Sequence, residues 1–218
     1  MTAKSEQPAR DDIVVEGYSA RYAAAVRHVL GIEGGFVDDP VDRGGATKYG
    51  ISLRFLASEG AFDDDDDGLA DFDLDMDGDI DGKDIRLLKV NDAVYLYHRC
   101  FWERVEAESF PAPLGEAMFD QAVNGGLGAA RKLLQRAINA LVHRHRLRTI
   151  SLVVDGVIGE RTRALLTSLI EKYGVDALLE AYRGAVKDRY LAIVRRNPSQ
   201  SRFLKGWLNR ADRLGELA

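Results

Sequence analysis

Glu33 and Asp42 are two carboxylates whose sequence surroundings give them opposite protonation states, and Thr47 follows shortly after. All three fall in the stretch EGGFVDDPVDRGGATKYGIS, residues 33–52. Upstream, Tyr22, Val26, Val29 and Leu30 recur at i, i+4, i+7 and i+8, the spacing of one helical face, and i+11 on that face is Glu33. A carboxyl on an apolar face loses hydration, and the negative end of a helix disfavours its charge further, so its pKa should rise. An acid still protonated at neutral pH can supply the proton that a departing glycosidic oxygen needs. Asp42 lies among glycines and polar residues and should stay ionised. It could steady an oxocarbenium-like state or activate water, completing the carboxyl pair of a glycoside hydrolase. The glycines around it would let a polysaccharide approach the backbone closely. The same residues also suit a solvated helix end followed by an ordinary acidic hairpin, and spacing alone does not separate the two.

The elements that must position these groups are mostly helical. A helix should begin after Ser19 as N-cap and run to about Ile32. Gly34, Gly35, Pro40, Gly44 and Gly45 exclude a helix over 34–50 and favour a short irregular β-hairpin. A second helix should start at Ser52, and another should span about Gly82 to Trp102. The run 114–142 reads as two helices parted by the Gly125–Gly128 turn. An Asp155-Gly156 turn leads to a helix capped near Gly159, and a long helix over about 175–196 stops at Asn197-Pro198. A final amphipathic segment closes the chain. The fold class expected is mainly α, with one small hairpin and, apart from an Asp run, no internal repeat.

That Asp run is a second candidate site. Residues 61–84 hold twelve Asp against one Lys. Within them, DLDMDGDIDGKD, residues 73–84, follows the twelve-residue EF-hand loop. Asp73, Asp75 and Asp77 take positions 1, 3 and 5, Gly78 takes 6, Asp79 takes 7 through its carbonyl, Asp81 takes 9 and Asp84 takes 12. A hard cation takes six or more oxygens, which this spacing makes converge, so the expected cofactor is Ca2+ in a structural or regulatory role. Asp at position 12 is shorter than the usual Glu, and no convincing helix precedes the loop. Micromolar or weaker affinity is expected, leaving the loop empty in cytosol and filled outside. Asp63–Asp67 reads instead as a disordered acidic run.

With 218 residues, 46% of them hydrophobic, the chain can bury a proper core as one large domain or two small ones. Its single cysteine, Cys100, excludes an internal disulfide and, within LYHRCFW, suits a buried thiol. The net charge of −5 conceals segregation, because residues 121–218 carry 18 Lys and Arg against 8 Asp and Glu. Such an excess either attracts an anionic polymer or solvates helix faces. No signal-peptide core and no apolar run of about 18 residues is present, so synthesis in the cytoplasm is expected, and a target outside it would require delivery by another agent.

The string from Glu33 to Ser52 resembles the signature of the glycoside hydrolase family 108 muramidases, and Glu33, Asp42 and Thr47 resemble the Glu-Asp-Thr triad of phage-type lysozymes. Arg43 stands where that signature has Pro, Phe36 where it has Tyr, and the second gap is one residue shorter. LYHRCFW resembles the family's Y-x-x-x-Y-W helix end. Residues 119–139 and 154–166 resemble the peptidoglycan-binding module usually fused to it, and 203–210 its closing segment. The resemblance implies a lysozyme-like domain over 18–118, after a loose tail at 1–17 and with 61–84 inserted, followed by a helical peptidoglycan-binding part over 119–218. It implies cleavage of the β-1,4 bond between N-acetylmuramic acid and N-acetylglucosamine. Glu33 would be the general acid, Asp42 and Thr47 would position water or steady positive charge, and Tyr49 and Asn124 would contact sugar. Peptidoglycan is then the expected partner, with no nucleic acid, no membrane insertion and a monomeric chain. A phage endolysin, a gene-transfer-particle lysin and a toxin delivered into a rival all fit. The alternatives are a non-catalytic wall-binding or secretion-accessory protein and a calcium-controlled interaction protein.

Overall fold

The computed structural model describes residues 15–32 and 45–216. It is mainly helical with one two-stranded antiparallel sheet, the lysozyme-like class expected. The chain forms two compact units, residues 1–100 and 101–218.

In the first unit, helix α1 (Ala20–Ile32) starts where Ser19 Oγ accepts the Tyr22 N–H at 3.1 Å. Tyr22, Val26, Val29 and Leu30 are all buried, so the expected apolar face is the packed one. Strands β1 (Thr47–Lys48) and β2 (Ile51–Ser52) pair in the register Thr47 to Ser52 and Lys48 to Ile51. Tyr49 and Gly50 between them both have positive φ, 52° and 75°, as a two-residue primed hairpin turn requires. Ser52 then caps α2 (Leu53–Glu59) by accepting the Phe55 N–H.

The helix expected over 82–102 is interrupted. Helix α3 (Gly82–Leu87) ends at Leu88, which is extended and buried, and α4 (Val90–Tyr97) starts afresh after Lys89. Asp92 accepts the Lys89 N–H at 2.6 Å, satisfying one of the backbone donors that a new helix start exposes. A π-helical stretch, His98–Trp102, then carries the chain on to the short helix α5 (Glu103–Val105). Cys100 is buried, as expected.

In the second unit, α6 (Leu114–Gly125) and α7 (Leu127–Arg144) meet at Gly126, whose φ of 87° turns the chain. Helix α8 (Glu160–Arg196) is interrupted at Gly174 (φ 82°, ψ 160°), which sets off the expected long helix, and α9 (Ser201–Arg213) follows. Leu133, Leu134, Ile138 and Leu141 of α7 form the core with Leu169, Leu178, Tyr182 and Val186 of α8. The loop after α7 is fastened to it by two side chains one turn apart. Asn139 exchanges two hydrogen bonds with the Leu152 backbone, at 2.7 and 2.9 Å. Gln135 accepts the Gly156 N–H and donates to the Asp155 carboxylate and the Val157 carbonyl.

Two expected outcomes follow from these local arrangements. Donors from Gln135 and the Val157 backbone hold the Asp155 pKa below the ordinary Asp value. A depressed carboxylate contributes stability above its unfolded pKa and loses it as pH falls through the folded one. Melting temperature measured from pH 7 to pH 2 should therefore fall less steeply below about pH 4 in Asp155→Asn than in wild type. Gly45 has a φ of +73°, and a Cβ there would lie 3.2 Å from Leu53 Cβ. Gly45→Ala should destabilise the chain by about 1–2 kcal/mol in urea unfolding; an unchanged midpoint would contradict the hairpin described.

Candidate active site

Glu33 and Asp42 lie outside the described residues, so the site is built from the residues that flank them. On the upstream side, the Tyr22 hydroxyl donates to the Val94 carbonyl of α4, and the Tyr22 ring meets His98 edge-on at 4.7 Å. Burial raises the Tyr22 pKa far above the ordinary tyrosine value, so this hydroxyl remains a donor. On the downstream side, the Tyr97 hydroxyl donates to the Tyr49 carbonyl at 3.1 Å, fixing the hairpin tip. Val94 and Tyr97 are three residues apart, neighbours on one helical face. Helix α4 therefore accepts a hydrogen bond from α1 and gives one to the hairpin.

Thr47 is half-buried in β1, and its hydroxyl donates to the Gly45 carbonyl at 3.3 Å. With its proton committed there, the oxygen keeps lone pairs to accept from a ligand or water. Tyr49 is half-buried at the turn, and its ring lies 5.5 Å from the Lys48 ammonium. Lys48 donates to the Arg86 carbonyl at the end of α3 at 2.6 Å. Partial burial lowers the Lys48 pKa from the ordinary lysine value, against an opposing pull from Asp92. Asn124 falls on the second unit, exposed in the last turn of α6, where its amide donates to the Tyr190 hydroxyl at 2.8 Å.

The acidic segment is ordered into turns, and the expectation of disorder over Asp63–Asp67 is corrected. Asp63 accepts the N–H groups of Asp67 and Gly68 at 3.2 and 2.9 Å. Asp73 accepts those of Asp77 and Gly78 at 3.1 and 2.7 Å in the same pattern. The D-x-D-x-D-G spacing thus occurs twice, ten residues apart, a repeat legible in the sequence once both turns are known. The lobe has its own apolar anchor, since Phe72 packs with Phe62 and Tyr95 at centroid distances of 5.7 and 6.3 Å. Arg99 supplies a counterion, donating to Asp64 at 2.6 Å while lying 3.9 Å from the Phe62 ring centre.

Asp84 is fully buried. One of its oxygens accepts from Leu74 and Asp75 at 2.7 and 3.3 Å and the other from Asp81 at 2.7 Å, closing the loop end to end. Carboxylate oxygens of Asp73, Asp75 and Asp84 lie within 4.8 Å of one another, and those of Asp63, Asp65 and Asp71 form a second such group. The reading of the sequence missed Lys83, whose ammonium sits 2.6 Å from Asp77 and 3.4 Å from Asp75. This pairing lowers the Asp77 pKa and raises that of Lys83, while the charge of Asp77 raises the pKa of Asp79.

Comparison with known proteins agrees with this arrangement. Residues 26–126 match the model of the family described as Glycosyl hydrolase 108, and residues 129–212 match that described as Predicted Peptidoglycan domain. The solved structure of SagA from Brucella abortus is 28% identical, with a TM-score of 0.62 over 88% of this chain and 90% of that one. No sequence among curated proteins matches. Among the described residues no helix is long and apolar enough to cross a membrane. A glycosyl hydrolase segment that begins within α1 and takes in the hairpin and α4, followed by a peptidoglycan segment on α7 to α9, makes this chain a glycoside hydrolase directed at peptidoglycan.

Proposed function

We propose that the chain cleaves the β-1,4 bond between N-acetylmuramic acid and N-acetylglucosamine, with Glu33 as general acid. The observation that carries this reading is the buried face of α1, whose helical spacing continues to position 33, inside the segment matched to glycosyl hydrolases. Glu33 protonates the leaving oxygen, and Asp42, ionised, stabilises the developing positive charge or takes a proton from water. Thr47 accepts a hydrogen bond from that water, which is consistent with its own proton being given to Gly45. Tyr49 and Asn124 contact sugar. The enzyme acts on the wall, in the periplasm or outside, as a monomer.

Turbidity loss on purified peptidoglycan tests the assignment. Glu33→Gln should lower the rate by about 100- to 10,000-fold with the melting temperature unchanged. The wild-type rate should decline as pH rises through the elevated Glu33 pKa. A folded Glu33→Gln protein that clears walls at the wild-type rate would refute Glu33 as the acid, and an equally active Asp42→Asn would reduce Asp42 to a structural role.

The acidic loop binds Ca2+ on this reading, through Asp73, Asp75, Asp77, the Asp79 carbonyl and Asp84. The donor set fits, being oxygen throughout, with three carboxylates already within reach of one another. When bound, the ion supplies charge neutralisation and not chemistry. Lys83 competes for the same oxygens. Calorimetric titration should show binding, and calcium at a hundred times its Kd should stabilise the chain by about 2.7 kcal/mol. Lys83→Met should bind calcium more tightly than wild type. Neither heat nor a rise in melting temperature in both proteins would exclude the site.

A further inference from the structure

The second unit contains a cavity of about 580 Å³ lined by α7 and α8 and by Asp212 of α9. Arg136, Ala140 and Arg144 of α7 follow one another at four-residue spacing, and so do Glu180, Gly184 and Asp188 of α8, so each row lies along one helical face. Gly184 has ordinary helical backbone, and nothing lies within 4 Å of the place its Cβ would take. Glycine in mid-helix is destabilising relative to alanine, and neither strain nor crowding requires it here. What its missing side chain provides is room in the cavity.

The charges around this space are unevenly committed. Arg144 pairs with Glu180 at 3.9 Å, and Lys187 pairs with Asp212. Arg183 donates to the Leu214 carbonyl at 2.7 and 2.9 Å and meets Glu216 at 3.3 Å. Among the described residues, Arg136 and Asp188 have no ion-pair partner. The cavity thus offers one guanidinium and one carboxylate to a ligand carrying both a free carboxylate and a free amine. A guanidinium fork suits a carboxylate, and a carboxylate accepts from an ammonium.

Resting on the reading that peptidoglycan is the target, we infer that this cavity is a subsite for the peptide stem, with Arg136 taking a stem carboxylate and Asp188 the amine of its diamino acid. The stem has both groups, whereas a glycan strand stripped of stems keeps only the lactyl carboxylate and has no amine. The excess of basic residues beyond position 120 then draws the chain to the wall, and the cavity selects which part of it is held.

The test is co-sedimentation of the full chain, in the cold, with intact sacculi and with glycan freed of stems by an amidase. Wild type should bind sacculi about tenfold more tightly than stripped glycan. Arg136→Glu, Asp188→Lys and the cavity-filling Gly184→Leu should each bring sacculus binding down to the stripped-glycan level. Arg195→Glu, exposed and outside the cavity, should not. Equal binding of both polymers by wild type, wild-type binding by the cavity variants, or an equal loss in Arg195→Glu would overturn the subsite. Reducing ends released from intact sacculi and from stripped glycan are measured in parallel. Their absence with wild type on both polymers sinks the hydrolase reading alone, because the binding comparison still decides the subsite.

Discussion

Two tyrosine hydroxyls, those of Tyr22 and Tyr97, tie α1 and the hairpin of the first unit to α4. Each gives its proton to a backbone carbonyl, Tyr22 to Val94 on α4 and Tyr97 from α4 to Tyr49 at the hairpin tip. A buried carbonyl offers a fixed acceptor, and an aromatic side chain has few rotamers to lose in reaching it. The consequence is that α1 and the hairpin are tied to the same helix.

The acidic lobe is held by the same kind of bond with donor and acceptor exchanged. Twelve aspartates crowded into 61–84 would repel one another in an extended chain. Here Asp63, Asp73 and Asp84 each accept several backbone N–H groups, while Arg99 and Lys83 bring positive charge. Most of these carboxylates are exposed as well as bonded. Only Asp73 and Asp84 are withdrawn from solvent, and both oxygens of each are occupied by donors.

Much of the architecture was legible because it follows from local rules. Ser19 and Ser52 announced helix starts, Gly126 announced a break, and the spacing from Tyr22 to Leu30 identified the buried face of α1. The break at Leu88 was not read, since Leu88 is apolar and lies in a run with helical periodicity. Its only sequence signal is Asp92, three residues after Lys89, as half of a capping box. The order of the Asp63 turn was hidden by composition, because its anchors Phe62, Phe72 and Arg99 are separated along the chain and meet only after folding. Thr47 and Tyr49 fall in the hairpin as the spacing required. The amide of Asn124 is shared with Tyr190, a partner 66 residues away that no local pattern reveals.

Lys48 has a wider consequence. Its ammonium joins the hairpin to the last turn of α3, and α3 is the helix that closes the acidic loop through Asp81 and Asp84. A hydrogen bond between two small elements, neither of them stable alone, makes their opening events one event. Opening of 82–87 therefore removes one of the contacts that hold 47–52 in place. Whatever rigidifies the lobe also slows the breathing of the strand that carries Thr47.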